Sequence, residues 1–373
     1  MTTTTAGMMR LMHRIAPQYL AEEWDNCGLQ AGRPDQPVNR VWVALDPSLA
    51  VVTEACAGGA DMLITHHPLL MGRIKTLDFN RMPGRAVQMA AENGLSIFSA
   101  HTNLDSAEGG LNDLCAQRIG LFRTAVLTAS KPDGFVKLAV FVPVEHEESI
   151  MAALEKTPAG TFGEYSACSF AVRGTGRFKP SAHASPFIGK AGEVSRVDEV
   201  RVETIVDSRD VHAVVDSLKA AHPYETMAYD IFPLSGSVGR SQGLGRIGAL
   251  EVSVPLADFA ESVKAGFGVE SVRVAGDPGM MVRTVALCSG SGSGLMGDFL
   301  SSSADVYVSG DLKYHDGMAA TDAGRALVDV GHFETECLVV DLLEDRLKTL
   351  AAEADMDVII EGYKAEQNPY TRV

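Results

Sequence analysis

Residues 95–105 read Leu-Ser-Ile-Phe-Ser-Ala-His-Thr-Asn-Leu-Asp, an apolar run followed by His101 and, four residues later, Asp105. Residues 326–336 read Ala-Leu-Val-Asp-Val-Gly-His-Phe-Glu-Thr-Glu, and they place His332 and Glu336 in the same way. The apolar runs predict buried strands, and the polar residues follow the point where each strand ends. The two stretches therefore predict two similar halves, each with a histidine and a carboxylate beyond a strand.

Strands and helices alternate around both stretches. In the first half the pattern predicts strands at 41–46, 61–65 and 95–100, with helices through 51–55 and 85–93. In the second half it predicts strands at 282–287, 305–309 and 326–330, with a helix near 318–323. Alternation of this kind is typical of mainly parallel sheets covered on both faces. We therefore predict an α/β fold with two similar halves, whose sheets are mixed or mainly parallel.

The middle of the chain, 126–243, breaks this alternation. It predicts strands at 137–143, 167–173, 198–206 and 226–232, with helices at 145–156 and 210–221. The order βαββαβ is the ferredoxin-like α+β plan. We predict three domains: a first α/β half (1–125), an inserted ferredoxin-like domain (126–243), and a second α/β half that completes the metal site (244–373).

Composition excludes several classes of protein. The 373 residues are 46% hydrophobic, enough to form the cores of two or three domains. A net charge of −16 argues against a nucleic-acid-binding protein, because phosphate contacts need basic patches. The six cysteines form no CxxC pair and predict buried thiols in a reduced, cytoplasmic protein. No uninterrupted apolar run reaches about 18 residues, so we expect no membrane span.

The strand-end histidines predict a metal site. His66 and His67 follow the predicted strand 61–65, and carboxyl ends of parallel strands meet at one sheet edge. Imidazole and carboxylate groups together suit divalent Zn, Fe or Mn. The spacing of four puts His332 and Glu336 on one helix face. Each histidine alone is compatible with a satisfied core or surface residue, but the repeated pattern favours two metal ions with Glu336 as a bridge.

Two further histidines are candidates for supporting or proton-transfer roles. His101 is either a ligand or a residue that orients Asp105. His315 follows the strand at 305–309, and it is either a proton-transfer group near the metals or a surface residue at a helix N-terminus.

Three other motifs suggest ligand binding, but each also has a purely structural interpretation. Residues 243–248 match G-x-G-x-x-G, but we reject a dinucleotide site because a strand follows them, where the motif needs a helix. The glycine-rich stretch 289–294 is either a phosphate cradle or a tight strand-to-helix turn, and the turn is favoured. His222-Pro223-Tyr224-Glu225 is either a structural turn, which we favour, or a small-ligand contact at a domain junction.

Several motifs, in this order, resemble the dinuclear-metal hexamer family of type 2 GTP cyclohydrolase I homologues, also called Ngg-interacting-factor-three-like proteins. The resembling segments are Trp24-Asp25-Asn26-Cys27-Gly28-Leu29, Thr65-His66-His67-Pro68, His101-Thr102-Asn103-Leu104-Asp105, Ser309-Gly310-Asp311 and Gly331-His332-Phe333-Glu334-Thr335-Glu336. The middle segment resembles the PII/CutA-like insert of the longer bacterial members.

The resemblance implies specific ligands, an assembly and a reaction. The implied metal ligands are His66, His67, Asp105, His332 and Glu336. The implied assembly is a toroidal homohexamer with metal sites facing an internal cavity. The implied reaction is hydrolytic opening of GTP at guanine C8 with formate release, acting on a small-molecule nucleotide substrate. The alternatives are a phosphoesterase or another metal-dependent hydrolase, and a non-enzymatic metal-binding or regulatory scaffold.

Overall fold

The computed structural model describes residues 3–72, 74–129, 135–161, 165–208, 210–234 and 242–371. The chain forms two compact units. The larger unit contains Met1–Ser130 and Ser241–Val373, and the smaller contains Lys131–Arg240. The smaller unit is thus inserted within the sequence of the larger one. In the described part of the chain, no helix combines the length and the apolar character needed to cross a bilayer.

The helices and strands follow in chain order. The first segment of the larger unit contains α1 (Thr5–Ile15), β1 (Gly28–Ala31), β2 (Arg40–Ala44), α2 (Leu49–Ala57), β3 (Met62–Thr65), α3 (Gly84–Asn93), β4 (Ser96–Ser99), α4 (Thr102–Ser106), α5 (Leu111–Arg118) and β5 (Phe122–Ala129). The smaller unit contains β6 (Phe135–Pro143), α6 (Glu147–Leu154), β7 (Ser169–Phe178), β8 (Ser195–Asp207), α7 (Val211–Ala221) and β9 (Tyr229–Pro233). The second segment of the larger unit contains β10 (Gly243–Pro255), α8 (Leu256–Phe267), β11 (Arg273–Ala275), β12 (Met281–Ser291), α9 (Met296–Ser301), β13 (Val306–Gly310), α10 (Tyr314–Asp322), β14 (Ala326–Asp329), α11 (His332–Glu336), α12 (Val339–Glu353) and β15 (Ile359–Gly362). Short 3₁₀ helices lie at Gln18–Leu20, Val144–His146 and Gly292–Leu295.

The first sheet of the larger unit has the order β1-β4-β3-β2-β15. Strands β15, β2, β3 and β4 run parallel, and β1 pairs antiparallel with β4. Every residue of β3 and β4 is buried. This is what the continuous apolar runs predict for parallel strands covered on both faces.

The second sheet has the order β11-β14-β13-β12-β10-β5. Its strands β12, β13 and β14 are parallel, and β11, β10 and β5 are antiparallel additions. The unit β13-α10-β14 repeats the plan of β3-α3-β4, since a helix connects two neighbouring parallel strands in both. The predicted pair of similar α/β halves is confirmed.

One hydrophobic core joins the two sheets. It contains Ile64 and Phe98 from the first sheet, Val308 and Val328 from the second, and Leu343 from α12, each at most 1% exposed. Burial of apolar surface on this scale fixes the two sheets against each other. The ends of β3, β4, β13 and β14 are therefore held at fixed positions. The division of this unit into separate domains at residues 125 and 244 stays a prediction.

The smaller unit has the predicted βαββαβ order. Its antiparallel sheet has the order β7-β8-β6-β9, and a hydrophobic core packs α6 and α7 against it. This strand order is the ferredoxin-like one, so the predicted fold of the insert is confirmed.

Candidate metal centre

The strand ends of the larger unit bring together six side chains that we call the cluster. His66 and His67 follow β3, His101 lies between β4 and α4, and Asp105 lies in α4. His332 is the first residue of α11 and Glu336 is the last. The cluster consists of His66, His67, His101, Asp105, His332 and Glu336.

Glu336 lies at the middle of the cluster. The Nε2 atoms of His67 and His332 are each 2.9 Å from its Oε2 atom. The Nε2 atom of His66 is 3.6 Å from the Oε1 atom of Glu336 and 3.8 Å from Oδ1 of Asp105. The predicted common helix face of His332 and Glu336 is confirmed. Thus the two carboxylate oxygens of Glu336 face different imidazoles.

Two overlapping groups in the described residues have the spacing of metal ligands. His66, His67 and His101 form one group, and His67, His332 and Glu336 form the other. Within each group the ligand atoms lie within 4.8 Å of one another. The cluster is therefore able to hold a metal ion.

The Nδ1 atom of each cluster histidine already has an oxygen partner. His66 Nδ1 lies 2.8 Å from the carbonyl oxygen of Ala100, and His67 Nδ1 lies 2.7 Å from Oδ1 of Asp46. Because a carbonyl oxygen only accepts, Nδ1 of His66 donates the hydrogen. The Nε2 atom of a neutral His66 is then free to act as an acceptor or a ligand.

The same arrangement recurs at the two other histidines. His101 Nδ1 lies 3.0 Å from Oδ1 of Asp25, and His332 Nδ1 lies 2.7 Å from Oδ2 of Asp311. Metal-binding histidines characteristically donate their second ring N–H to a carboxylate or carbonyl, which fixes the orientation of the ring. All four rings thus satisfy this requirement for metal binding.

Three aspartates of this site, Asp25, Asp46 and Asp311, were not predicted from the sequence. A signal for two of them was present, because Asp46 closely follows β2 and Asp311 immediately follows β13, on the edge that presents the histidines. His101 is oriented by Asp25, and its predicted role as a ligand or as a residue that orients Asp105 stays a prediction. The carboxylate of Asp25 also accepts from the backbone N–H of Thr102, at 3.1 Å.

Two buried atoms of the cluster have no hydrogen-bond partner in the described residues. These atoms are Nε2 of His66 and Oε2 of Glu336. The polar neighbours of Glu336 Oε2 are the Nε2 atoms of His67 and His332, each at 2.9 Å. Unsatisfied buried polar atoms are costly, and a metal ion in the space between them would satisfy both. The residues present fit a metal ion for this reason.

Mutual electrostatics shift the pKa values of the cluster. Burial acts to lower the pKa of His67, but the carboxylates of Asp46 and Glu336 outweigh it and raise the pKa to about 10. The carboxylate of Glu336 is the main cause of a pKa of about 9 at His332. Burial acts to raise the pKa of Glu336, yet the surrounding imidazoles hold it well below its ordinary value. Without a metal, protons therefore occupy nitrogen atoms that a metal would need.

The glycine-rich stretch 289–294 forms part of the wall around Glu336. Gly290 has φ 61°, and a Cβ atom there would lie 2.0 Å from Oε1 of Glu336. The backbone N–H of Ser289 donates to Asn112 Oδ1 (2.8 Å), and that of Gly290 donates to Thr335 Oγ1 (2.9 Å). These engaged amides support the structural turn over a phosphate cradle.

Two other motifs have structural partners. Residues 243–248 lie within β10, between β5 and β12, so the rejection of a dinucleotide site is confirmed. His222 Nε2 lies 2.8 Å from the carbonyl oxygen of Phe141, and its Nδ1 accepts from the backbone N–H of Tyr224. Both ring nitrogens of His222 thus stabilise a turn.

His315 lies outside both candidate metal groups of the described residues. It is an exposed residue in the first turn of α10, and its ring lies 5.3 Å from that of Tyr314. The geometry favours a surface residue at a helix N-terminus over a proton-transfer group.

Comparison with known proteins gives full-length matches. The family model described as Duf34/NIF3 (NGG1p interacting factor 3) matches residues 3–369. A Bacillus subtilis protein named GTP cyclohydrolase 1 type 2 homolog is 37% identical over 364 residues, which are 98% of this chain and 97% of the relative. A Mycobacterium bovis protein with the same name is 39% identical over 344 residues, 90% of this chain and 89% of the relative. The crystal structure of a Bacillus cereus protein related to NIF3 is similar over 100% of both chains, with a TM-score of 0.82 and 36% identity.

Proposed function

This chain belongs to the Duf34/NIF3 family, and we propose that it is a hydrolase that uses two divalent metal ions. The proposed ligands are His66, His67, Asp105, His332 and Glu336. The proposed reaction is that of a GTP cyclohydrolase: opening of the guanine ring at C8, with release of formate. The name of the relatives supports the substrate, and the cluster supports the metals.

The observation that supports this proposal best is the convergence of imidazole Nε2 atoms on Glu336, with every Nδ1 atom held by an oxygen. The Oε1 atom of Glu336 faces His66, whereas its Oε2 atom faces His67 and His332. A carboxylate in this position is suited to bridge two ions. Mixed imidazole and carboxylate ligands fit Zn, Fe or Mn.

Metal ions held there would lower the pKa of a water molecule towards neutrality and so supply a nucleophile at pH 7. The side chains of the cluster and their partners orient the ligands and transfer protons. Asp46 and Asp311 fix the rings of His67 and His332, so that their Nε2 atoms stay in place. His101 is held at Nδ1 by Asp25, so its Nε2 atom is the position from which a proton can be taken up or delivered.

The charged groups that pair within the cluster are imidazoles and carboxylates. Among the described residues, no lysine or arginine forms an ion pair with the cluster or with Asp25, Asp46 or Asp311. Enzymes that transfer phosphoryl groups commonly use such cations to stabilise the transition state. A metal-dependent phosphoesterase is therefore our second candidate.

The test is to load the purified protein with Zn, Mn or Fe and to incubate it with GTP. We expect formate and a fluorescent pterin, and we expect Glu336→Gln to abolish both. Glu334→Gln is the matched control, because Glu334 lies in the same helix outside the cluster and pairs with Asn368. Formation of inorganic phosphate or cleavage of phosphodiesters without formate would favour the phosphoesterase. Metal binding without any turnover would favour a regulatory scaffold.

We further propose that the protein acts in the cytoplasm as a homohexamer. The family resemblance supports the hexamer, and the six free cysteines support a reducing compartment. Light scattering coupled to size-exclusion chromatography gives the mass directly, and a monomer or dimer would contradict the proposed assembly.

A further inference from the structure

The chain has two tryptophans in contrasting environments. Trp42 lies in β2, stacks on Tyr363 at 5.5 Å, and donates from Nε1 to Glu361. Trp24 is 59% exposed. An exposed indole costs burial free energy, because this large apolar side chain contributes most when it is removed from water. The exposed part of this indole is therefore open to contact with a ligand.

The backbone around Trp24 is fixed. The N–H of Asp25 donates to the carbonyl oxygen of Glu22 at 3.0 Å, which places Trp24 in a turn. The N–H of Glu22 donates to Oγ1 of Thr102 at 3.0 Å. The side chain of Asp25 is fully buried and accepts from His101 and Thr102. The turn is therefore anchored on both sides of Trp24 to the start of α4.

This anchor holds the indole beside the cluster. The ring centroids of Trp24 and His101 are 6.0 Å apart and the rings are nearly perpendicular, at 79°. The His101 ring in turn lies 5.2 Å from the ring of His66 and 5.6 Å from that of His67. Trp24 thus contacts one imidazole of the cluster edge to face while more than half of its own surface remains open.

We propose that Trp24 is the stacking platform for the purine ring of the substrate. This inference rests on the proposed function, since it assigns the group that would place a purine base next to the cluster. An indole is bicyclic and flat like a purine, and every base offers a π face for stacking. The platform acts by positioning: it holds the ring at the cluster without touching the ligands of the metals.

Stacking on an aromatic side chain is worth about 1–3 kcal/mol per base, which corresponds to about a 5- to 150-fold change in Kd. We therefore expect Trp24→Ala to weaken GTP binding by about that factor and Trp24→Phe to weaken it less. Metal binding should be unchanged in both variants. The hydrogen bonds of Asp25 involve its own side chain and backbone, so neither substitution removes them.

Intrinsic fluorescence provides a direct test. In the Trp42→Phe variant Trp24 is the one remaining indole, so indole emission reports on Trp24 alone. Trp42 is the matched control position, because its side chain is held by Tyr363 and Glu361. We expect GTP to quench the emission of Trp24 in the zinc-loaded Trp42→Phe protein. The excitation wavelength is set at the red edge of indole absorption. Inorganic tripolyphosphate, which has no ring, should leave the emission unchanged.

Three results would overturn the proposal. They are GTP binding, measured by calorimetry, without quenching; equal quenching by tripolyphosphate; and no quenching by either GTP or ATP. Full GTP affinity in Trp24→Ala, or a change of its oligomeric state, would assign Trp24 to another role and contradict ours. The outcome is separate from the proposed reaction, because quenching by GTP without formate release would support the platform while contradicting the cyclohydrolase.

Discussion

Replacement of Asp46 tests whether the Nδ1 partners of the histidines serve metal binding. Its Oδ1 atom lies 2.7 Å from His67 Nδ1, and His67 belongs to both candidate metal groups. Loss of such a partner typically weakens metal affinity by about 10- to 100-fold, or about 1.4–2.7 kcal/mol. The side chain of Asp46 is 48% exposed, so water replaces part of the lost contact. We therefore expect Asp46→Ala to weaken zinc binding by about tenfold.

Two further variants separate orientation from charge. Asp46→Asn keeps an oxygen that can accept from Nδ1 but loses the negative charge, so its affinity should fall less than that of Asp46→Ala. Asp35→Asn is the control, because Asp35 is an exposed aspartate whose ion-pair partner among the described residues is Arg33. Competition with a chromogenic chelator at fixed pH gives the Kd values. A Kd for Asp46→Ala within about twofold of wild type, or an equal loss in Asp35→Asn, would refute the reasoning.

Three further predictions follow from the same geometry. Zinc affinity should fall as pH decreases below about 9, because His67 (pKa about 10) and His332 (pKa about 9) must release protons before they bind zinc. Calorimetry in buffers of different ionisation enthalpy counts the released protons. A Kd that does not change with pH would contradict this prediction. Both pKa values are raised above 6.5, so the two histidines stabilise the metal-free protein fully below pH 6.5 and lose this contribution as pH rises through 9 to 10. Melting curves in the presence of a chelator should show a fall in melting temperature over that range. A constant melting temperature would argue against the prediction. Gly290→Ala should lower the free energy of unfolding by about 1–3 kcal/mol and weaken metal binding, because its Cβ atom would collide with Glu336. A Cβ atom at Gly294 would have open space, so Gly294→Ala should change neither the stability nor the metal affinity. Equal stability and metal affinity of the two variants would exclude this explanation.

The fold could be predicted because its signals are local. The apolar runs before His66, His101 and His332 are short and continuous, and they are buried strands in the structure. The histidines follow these strands directly. Because the carboxyl ends of parallel strands meet at one edge of a sheet, the prediction of parallel strands was enough to place the histidines at that edge. The spacing of His332 and Glu336 likewise depends on one helical turn, and the helix α11 begins and ends at these two residues.

The partners of the histidines could not be predicted in the same way. Asp25 and His101 are 76 residues apart, and Asp46 and His67 are 21 apart. Such pairs depend on which strands become neighbours and on how the loops beyond them fold. The repeated histidine–carboxylate spacing also suggested a partnership of His101 with Asp105, whereas the buried carboxylate of Asp25 orients His101. A short-range pattern thus grouped the histidines and carboxylates of the cluster but gave no signal for the partner of His101 Nδ1.

The central claim is that the cluster binds two metal ions through Glu336 and the surrounding imidazoles. The most direct measurement is the number of zinc ions per chain, by native mass spectrometry after dialysis against dilute zinc. We predict two ions per chain for the wild-type protein and for Glu334→Gln, and fewer for Glu336→Gln. A wild-type chain that retains fewer than two zinc ions, or a Glu336→Gln chain that retains two, would contradict the claim.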